Sequence, residues 1–196
     1  MKKLFWGILI LVFSIQGCAT SRIAAMEIGK RTDIFHMAAP GEPVPSGYAE
    51  LVVLASFKTR KPWGYLGGRT SLGASDYSLL LNIDGQLARI SGDIAEETTA
   101  AGETNNPESG DGLRCLFEVR LFLKPGIHRL FVAIPKDRAA LDREITLPPA
   151  KNVLQLTPVY GKMNVGRLVG LEAPSSFYEG MLGFRAFLNG REICNF

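Results

Sequence analysis

From Tyr48 onward, apolar and polar residues alternate in short runs bounded by turn residues, the period-2 pattern of half-buried strands. The run LLLNIDGQLARI, residues 79 to 90, holds Asp84-Gly85 between two such stretches. Both residues tolerate the positive φ angles of a two-residue type I′ turn. Folding about that pair sets Leu81 opposite Ala88 and Leu79 opposite Ile90, with Ile83 on the same apolar side, so the register is self-consistent. In CLFEVRLFLK, residues 115 to 124, Phe117, Val119, Leu121 and Leu123 face one way and Glu118, Arg120 and Lys124 the other. The pattern predicts a half-buried strand, a turn at Pro125-Gly126 and a return strand with Leu130, Val132 and Ile134 inward, completing a second hairpin. REITLPP and NVLQLTPVY supply two further runs, and AFLNGREI repeats the two-residue turn at Asn189-Gly190. With Tyr48 to Phe57, the count reaches about eight or nine strands, at the spacing of a sandwich or barrel. No segment alternates with long helical patterns, which disfavours a parallel α/β sheet.

The first quarter of the chain reads differently. In SRIAAMEIGKRTDIFHM the apolar residues Ile23, Met26, Ile28 and Ile34 fit neither period, and a short helix and a docked strand both stay open. AAPGEPVPSG follows, where Pro40, Pro43 and Pro45 hold the backbone extended, as in a tether. At the start, Lys2 and Lys3 precede an apolar block from Leu4 to Ile15 and then the small Gly17, the order of zones in a secretory signal peptide. The block is shorter than the roughly 20 apolar residues that a membrane-spanning helix needs. The stretch Ile15-Gln16-Gly17-Cys18 resembles the bacterial lipobox, with only Gln16 departing from its commonest form. That resemblance implies removal of residues 1 to 17 and lipid on Cys18, with the two or more acyl chains that stable anchoring requires. The alternative is an ordinary signal peptide followed by a structural cysteine. Ala19 stands where an aspartate would resemble an inner-membrane retention signal, so the expected address in a diderm host is the outer membrane facing the periplasm. The expected organisation is a signal peptide at 1–17, a lipid-anchored segment and Pro-rich tether at 18–47, and a β-sandwich domain at 48–196.

Composition changes this picture little. Loss of residues 1 to 17 removes two of the 22 Lys and Arg and none of the 19 Asp and Glu, so the formal net charge falls from +3 to +1. That balance is no signature of nucleic-acid binding. A chain of this length supports one core, and its 21 Gly and 11 Pro favour many turns over long helices.

The order of LNIDGQ, a strand, LKPGIHRLFV and a strand ending in LTPVY resembles the PEGA-like and related lipoproteins of unassigned function over roughly residues 48 to 160. The resemblance implies an all-β, immunoglobulin-like antiparallel β-sandwich and a cell-envelope setting, with no catalytic residues to carry over. SGDIAEETTAAGETNNPESGDG interrupts the pattern, and the chain from Gly161 onward has no counterpart in it.

Candidate chemistry is sparse. His36 and His128 have no cysteine or carboxylate at metal-ligand spacing, so no metal site is expected, and His128 reads as a turn-flanking residue bonded to local backbone. The chain lacks G-x-S-x-G, and GYLGGRTSLG lacks the spacing that cradles phosphate, so no cofactor is expected. The insertion at 91–112 carries Asp93, Glu96, Glu97, Glu103, Glu108 and Asp111, scattered unlike a calcium loop, and reads as a mobile solvated loop. Cys115 and Cys194 remain after lipidation, and an oxidising envelope permits them to pair; two separate buried thiols are the alternative.

FKTRKPWGYLGGRT, residues 57 to 70, places Lys58, Arg60, Lys61 and Arg69 around Trp63 and Tyr65. Amphipathic rings beside cations suit a headgroup layer, a sugar face or an acidic protein surface. Against that contact surface stand two plainer readings: Trp63 caps the end of the sandwich, or the acidic insertion neutralises the loop. Two functions remain. A non-catalytic binding or scaffolding lipoprotein, with an envelope protein or glycan as partner, is favoured because no paired carboxylates or activated nucleophile are legible. An envelope enzyme acting on glycan or lipid is the alternative.

Overall fold

A computed structural model describes residues 29–61, 77–99, 106–161 and 176–193. The strands are β1 (Phe35–Met37), β2 (Ala49–Thr59), β3 (Ser78–Ile83), β4 (Gln86–Ser91), β5 (Asp93–Thr99), β6 (Gly110–Leu123), β7 (Gly126–Ile134), β8 (Ala139–Leu147), β9 (Lys151–Tyr160), β10 (Met181–Leu188) and β11 (Arg191–Glu192). They form two packed sheets in an all-β, sandwich-like architecture. Seven strands run in the order β1-β6-β2-β9-β10-β11, with β5 also beside β6, and four run in the order β4-β3-β7-β8. Among the described residues the only helices are two 3-10 turns, Pro135–Asp137 and Phe177–Glu179.

The predicted alternation is what buries the core. Leu51, Val53, Ala55 and Phe57 of β2 and Phe117, Val119, Leu121 and Leu123 of β6 face Leu79, Leu81 and Ile83 of β3 and Leu130, Val132 and Ile134 of β7 in one apolar cluster. Phe57 sits between Phe117 and Phe184, with ring centroids 5.5 Å from each. The Asp84-Gly85 hairpin has the expected pairs, Leu81 with Ala88 and Leu79 with Ile90. Its turn residues have φ of 49° and 92°, and Asn189-Gly190 repeats the geometry at 52° and 79°.

Four expectations are corrected. The strands joined at Pro125-Gly126 are not a hairpin, because β6 pairs with β2 while β7 pairs with β3 and β8 in the other sheet. An inward apolar row is satisfied equally by pairing and by facing across a core, so alternation could not tell the two apart. The sheet is not wholly antiparallel either: β2 and β9 run parallel, Glu50 opposite Lys151 through Ala55 opposite Leu156. Parallel neighbours need a long crossover, and the strands β3 to β8 supply it.

The insertion at 91–112 is in part a strand. Residues Asp93–Thr99 pair with Gly110 through Leu116 of β6 and form an acidic edge, since its carboxylates find cations on the neighbouring strands. Charge on an edge strand also discourages pairing with other chains. The described part of the tether is docked, not free. The Lys30 and Arg31 amides donate to the Gly85 carbonyl, the Gln86 side chain accepts from the Ile34 and Phe35 amides, and β1 pairs with β6. Arg120 then holds the Ala39 and Glu42 carbonyls over β6.

Phe57→Ala should lower unfolding free energy by about 3–5 kcal/mol through cavity formation. Ile127→Ser, at an exposed position, should change it by less than about 0.5 kcal/mol; urea titration of both variants checks the pair.

Candidate functional site

At the far end of β2 from Gly29, a polar network closes the sandwich. Alternation turns Phe57 inward and Lys58 outward, yet Lys58 is 2% exposed, which corrects its placement in a solvated contact loop. Its Nζ donates to Thr99 Oγ1 at 2.9 Å, to the Glu108 carbonyl at 2.9 Å and to the Gly110 carbonyl at 2.6 Å. Those three bonds use every donor of an ammonium group. Glu97 lies 3.7 Å away and the Phe177 ring centroid 5.2 Å away. A Cβ at Gly112 would lie 2.8 Å from Lys58 Cε and 2.9 Å from the Thr59 carbonyl, so this glycine is what lets the lysine lie down.

Arg114 is the second cation. It forks onto Glu97 through Nε and Nη2, at 2.6 and 2.8 Å, and reaches Glu108 at 2.7 Å. The paired geometry is the strong form of the interaction. It draws the Glu97 carboxyl down from its ordinary 4.5 to about 2, the Arg114 hydrogen bond being the largest cause, and raises Arg114 further. Tyr160 links the network to the sheet, accepting from the Lys58 amide at 2.8 Å and donating to Glu108 at 2.7 Å. Burial pushes its phenol well above the usual range.

Beside this network a groove of about 770 Å³ opens on the outer face of β6, β2 and β9. Leu54, Ser56, Leu116, Glu118, Gln155 and Thr157 lie along it, and Asn106, Glu108, Arg114 and Tyr160 line it with them. Asp93, Glu108 and Glu118 outnumber the single cation Arg114, which is itself tied to two carboxylates. The groove therefore offers hydroxyl, amide and carboxylate groups, a lining suited to an uncharged or basic extended ligand.

The other sequence-derived residues are dispersed. Lys61 pairs with Glu96 at 2.9 Å, as the neutralisation reading anticipated, and Arg60 is exposed. Trp63, Tyr65 and Arg69 lie outside the described residues, as does Cys18. Cys115 is a free, fully buried thiol, pushed up to about 11 by burial and then by Asp137. Such a thiol is inert. Cys194 lies outside the described residues.

Two smaller polar contacts were partly or wholly missed. His128 is bonded to local backbone as expected, its Nε2 lying 2.8 Å from the Lys124 carbonyl, but its Nδ1 also meets Asp84 at 2.7 Å. The second Asp84 oxygen accepts the Arg129 amide. Tyr77 donates to Asp137, whose carboxyl burial raises. Among the described residues, no three His, Cys, Asp or Glu side chains group to hold a metal ion. No protein-family model, curated protein or solved structure matches this chain.

The depressed Glu97 carboxyl sets a pH dependence. Its folded value lies below its unfolded one, so its contribution to stability is present above about pH 4.5 and is lost as pH falls through about 2. Urea midpoints of wild type and Glu97→Gln should differ by a constant amount above about pH 4.5 and converge below it.

Proposed function

We propose that this chain is a cell-envelope lipoprotein, anchored through lipid on Cys18 in the outer membrane facing the periplasm, whose β domain is a non-catalytic binding or scaffolding module. The observation that carries the binding role is the polar groove across β6, β2 and β9. Its occupant is an extended, uncharged or basic stretch of an envelope protein or glycan.

The layout of the molecule supports this reading. Gly29 lies at the end of the domain that carries the Asp84-Gly85 turn, where Lys30 and Arg31 bond to Gly85. Lys58, Arg60 and Tyr160 lie at the opposite end of β2 and β9, roughly 30 Å away along an 11-residue strand. An anchor upstream of Gly29 thus leaves the network at the end of the domain farther from the membrane. The finer assignment, an immunoglobulin-like sandwich of the PEGA-like kind, is supported by the bond between Asp84 and His128. That bond joins the D-G turn to the P-G-x-H turn, the two motifs on which the resemblance rests.

Cys18→Ser should abolish incorporation of labelled fatty acid and release the protein from the membrane fraction; labelling at the wild-type level would refute the anchor. For the groove, the double variant Gln155→Arg with Thr157→Arg should keep its urea midpoint, because both side chains lie on the outer face. It should lose the component that co-purifies with the wild type after detergent extraction. Retention of that component by a stable double variant would move the binding surface elsewhere.

A further inference from the structure

The outer face of the four-stranded sheet carries an apolar patch whose cover is not among the described strands. Register and alternation turn Leu80 of β3 and Phe131 and Ala133 of β7 away from the core, since their neighbours Leu79, Leu81, Leu130 and Val132 fill it. On an open sheet face these side chains would meet water. Instead they are 1%, 4% and 0% exposed, in a separate cluster whose described members, with Leu87 and Ala140, all come from this one sheet. Neighbouring side chains in a sheet cannot roof a phenyl ring to that degree, because they stand perpendicular to the surface and beside it.

The chain's own upstream segment comes off the structure at this patch. The Gly29 backbone lies directly against Leu87, a member of the cluster: a Cβ at Gly29 would lie 2.8 Å from Leu87 Cβ and 3.1 Å from its amide nitrogen. The bonds of Lys30 and Arg31 to Gly85 and the parallel bridge of Arg31 with Gln86 hold the chain there, along β4. Immediately upstream, Arg22 to Ile28 reads RIAAMEI, with Ile23, Met26 and Ile28 among its apolar residues. Seven residues span about 10 Å as a helix and about 23 Å extended, and four strands are about 14 Å across. An extended segment crosses the whole face, and a helical one reaches Phe131 from Leu87. Charge agrees with the direction. In sequence Glu27 is near Gly29 and Arg22 is at the far end of the segment, while β4 carries Arg89 and the opposite edge strand β8 carries Asp142 and Glu144.

We propose that residues 22–28 dock across the outer face of the four-stranded sheet, with Ile23, Met26 and Ile28 covering Leu80, Phe131 and Ala133. The docking does not depend on lipid at Cys18. If the lipid is there, the free leash shrinks to Cys18 through Ser21, about 13 Å at full extension, and the β4 side of the domain is held against the bilayer.

Amide exchange on the full chain tests this. In the triple variant Ile23→Ser, Met26→Ser, Ile28→Ser and in Gly29→Leu, exchange in residues 78–83 and 127–134 should rise about tenfold while β2 and β6 keep their protection. Unchanged exchange in β7 in either folded variant would overturn the proposal. A diazirine-bearing phenylalanine analogue at position 131 gives a second measurement that needs no destabilising change. Crosslinks to residues 22–28 of the same chain are expected. Crosslinks to a second, isotopically distinct copy, or to lipid, would assign the face to that occupant and overturn it. Loss of membrane attachment in Cys18→Ser with the crosslink retained would leave the docking standing, so the two readings fail separately.

Discussion

Burial of β2 on both of its faces is the constraint on which the rest of the structure depends. All eleven residues of its apolar-rich sequence, AELVVLASFKT, are at least partly enclosed: each pairs with β6, Glu50 through Ala55 also pair with β9, and the inward row meets the four-stranded sheet. A strand placed centrally in a sheet has no unpaired backbone edge. Its outward face is then the only place where polar side chains can stand, and Glu50, Ser56 and Lys58 all do so. Each is answered by a neighbouring strand: Glu50 by Arg120 at 2.6 Å, Ser56 by Arg114, and Lys58 by the carbonyls that flank the start of β6. The groove and the polar network are thus two parts of one surface. Both arise because the central strand carries polar residues outward while its inner row is apolar.

Burying an ammonium is costly unless every donor is used, and Lys58 shows how the sequence meets that condition. One of its acceptors comes from β5, two come from the stretch leading into β6, and the space comes from Gly112. Removing the lysine charge from water in this way also orders the acidic stretch, because Glu97 and Glu108 are shared with Arg114. The acids that make residues 91–112 look solvated are therefore the partners that fold them.

The edges are handled by different means. The acidic β5 and the three-residue β1 share one edge of β6, and the two-residue β11 covers part of β10. Gln86 binds the backbone of Ile34 and Phe35 from the turn of β4, so the N-terminal segment laces the four-stranded sheet to the seven-stranded one. What lies upstream of Gly29 consequently bears on the orientation of the whole domain.

The residues alone determined the local features. The positive-φ turns at Asp84-Gly85 and Asn189-Gly190, the register of β3 with β4, and the inward rows of β6 and β7 all follow from period and turn chemistry, which act over a few residues. The same was true of His128, whose bond to Lys124 spans four positions. Tertiary structure alone decided which strands became neighbours. Alternation states that Phe117 and Leu130 are buried, but not that their strands belong to different sheets, nor that β2 and β9 run parallel. It likewise misplaced Lys58, because a lysine followed by Arg60, Lys61 and Pro62 reads as solvated until partners from 41 to 52 residues away close over it. The groove was equally illegible, being assembled from β2, β6 and β9. The reason is common to all of these. Local pattern records whether a position is covered, while the identity of what covers it is set by contacts between segments far apart in sequence.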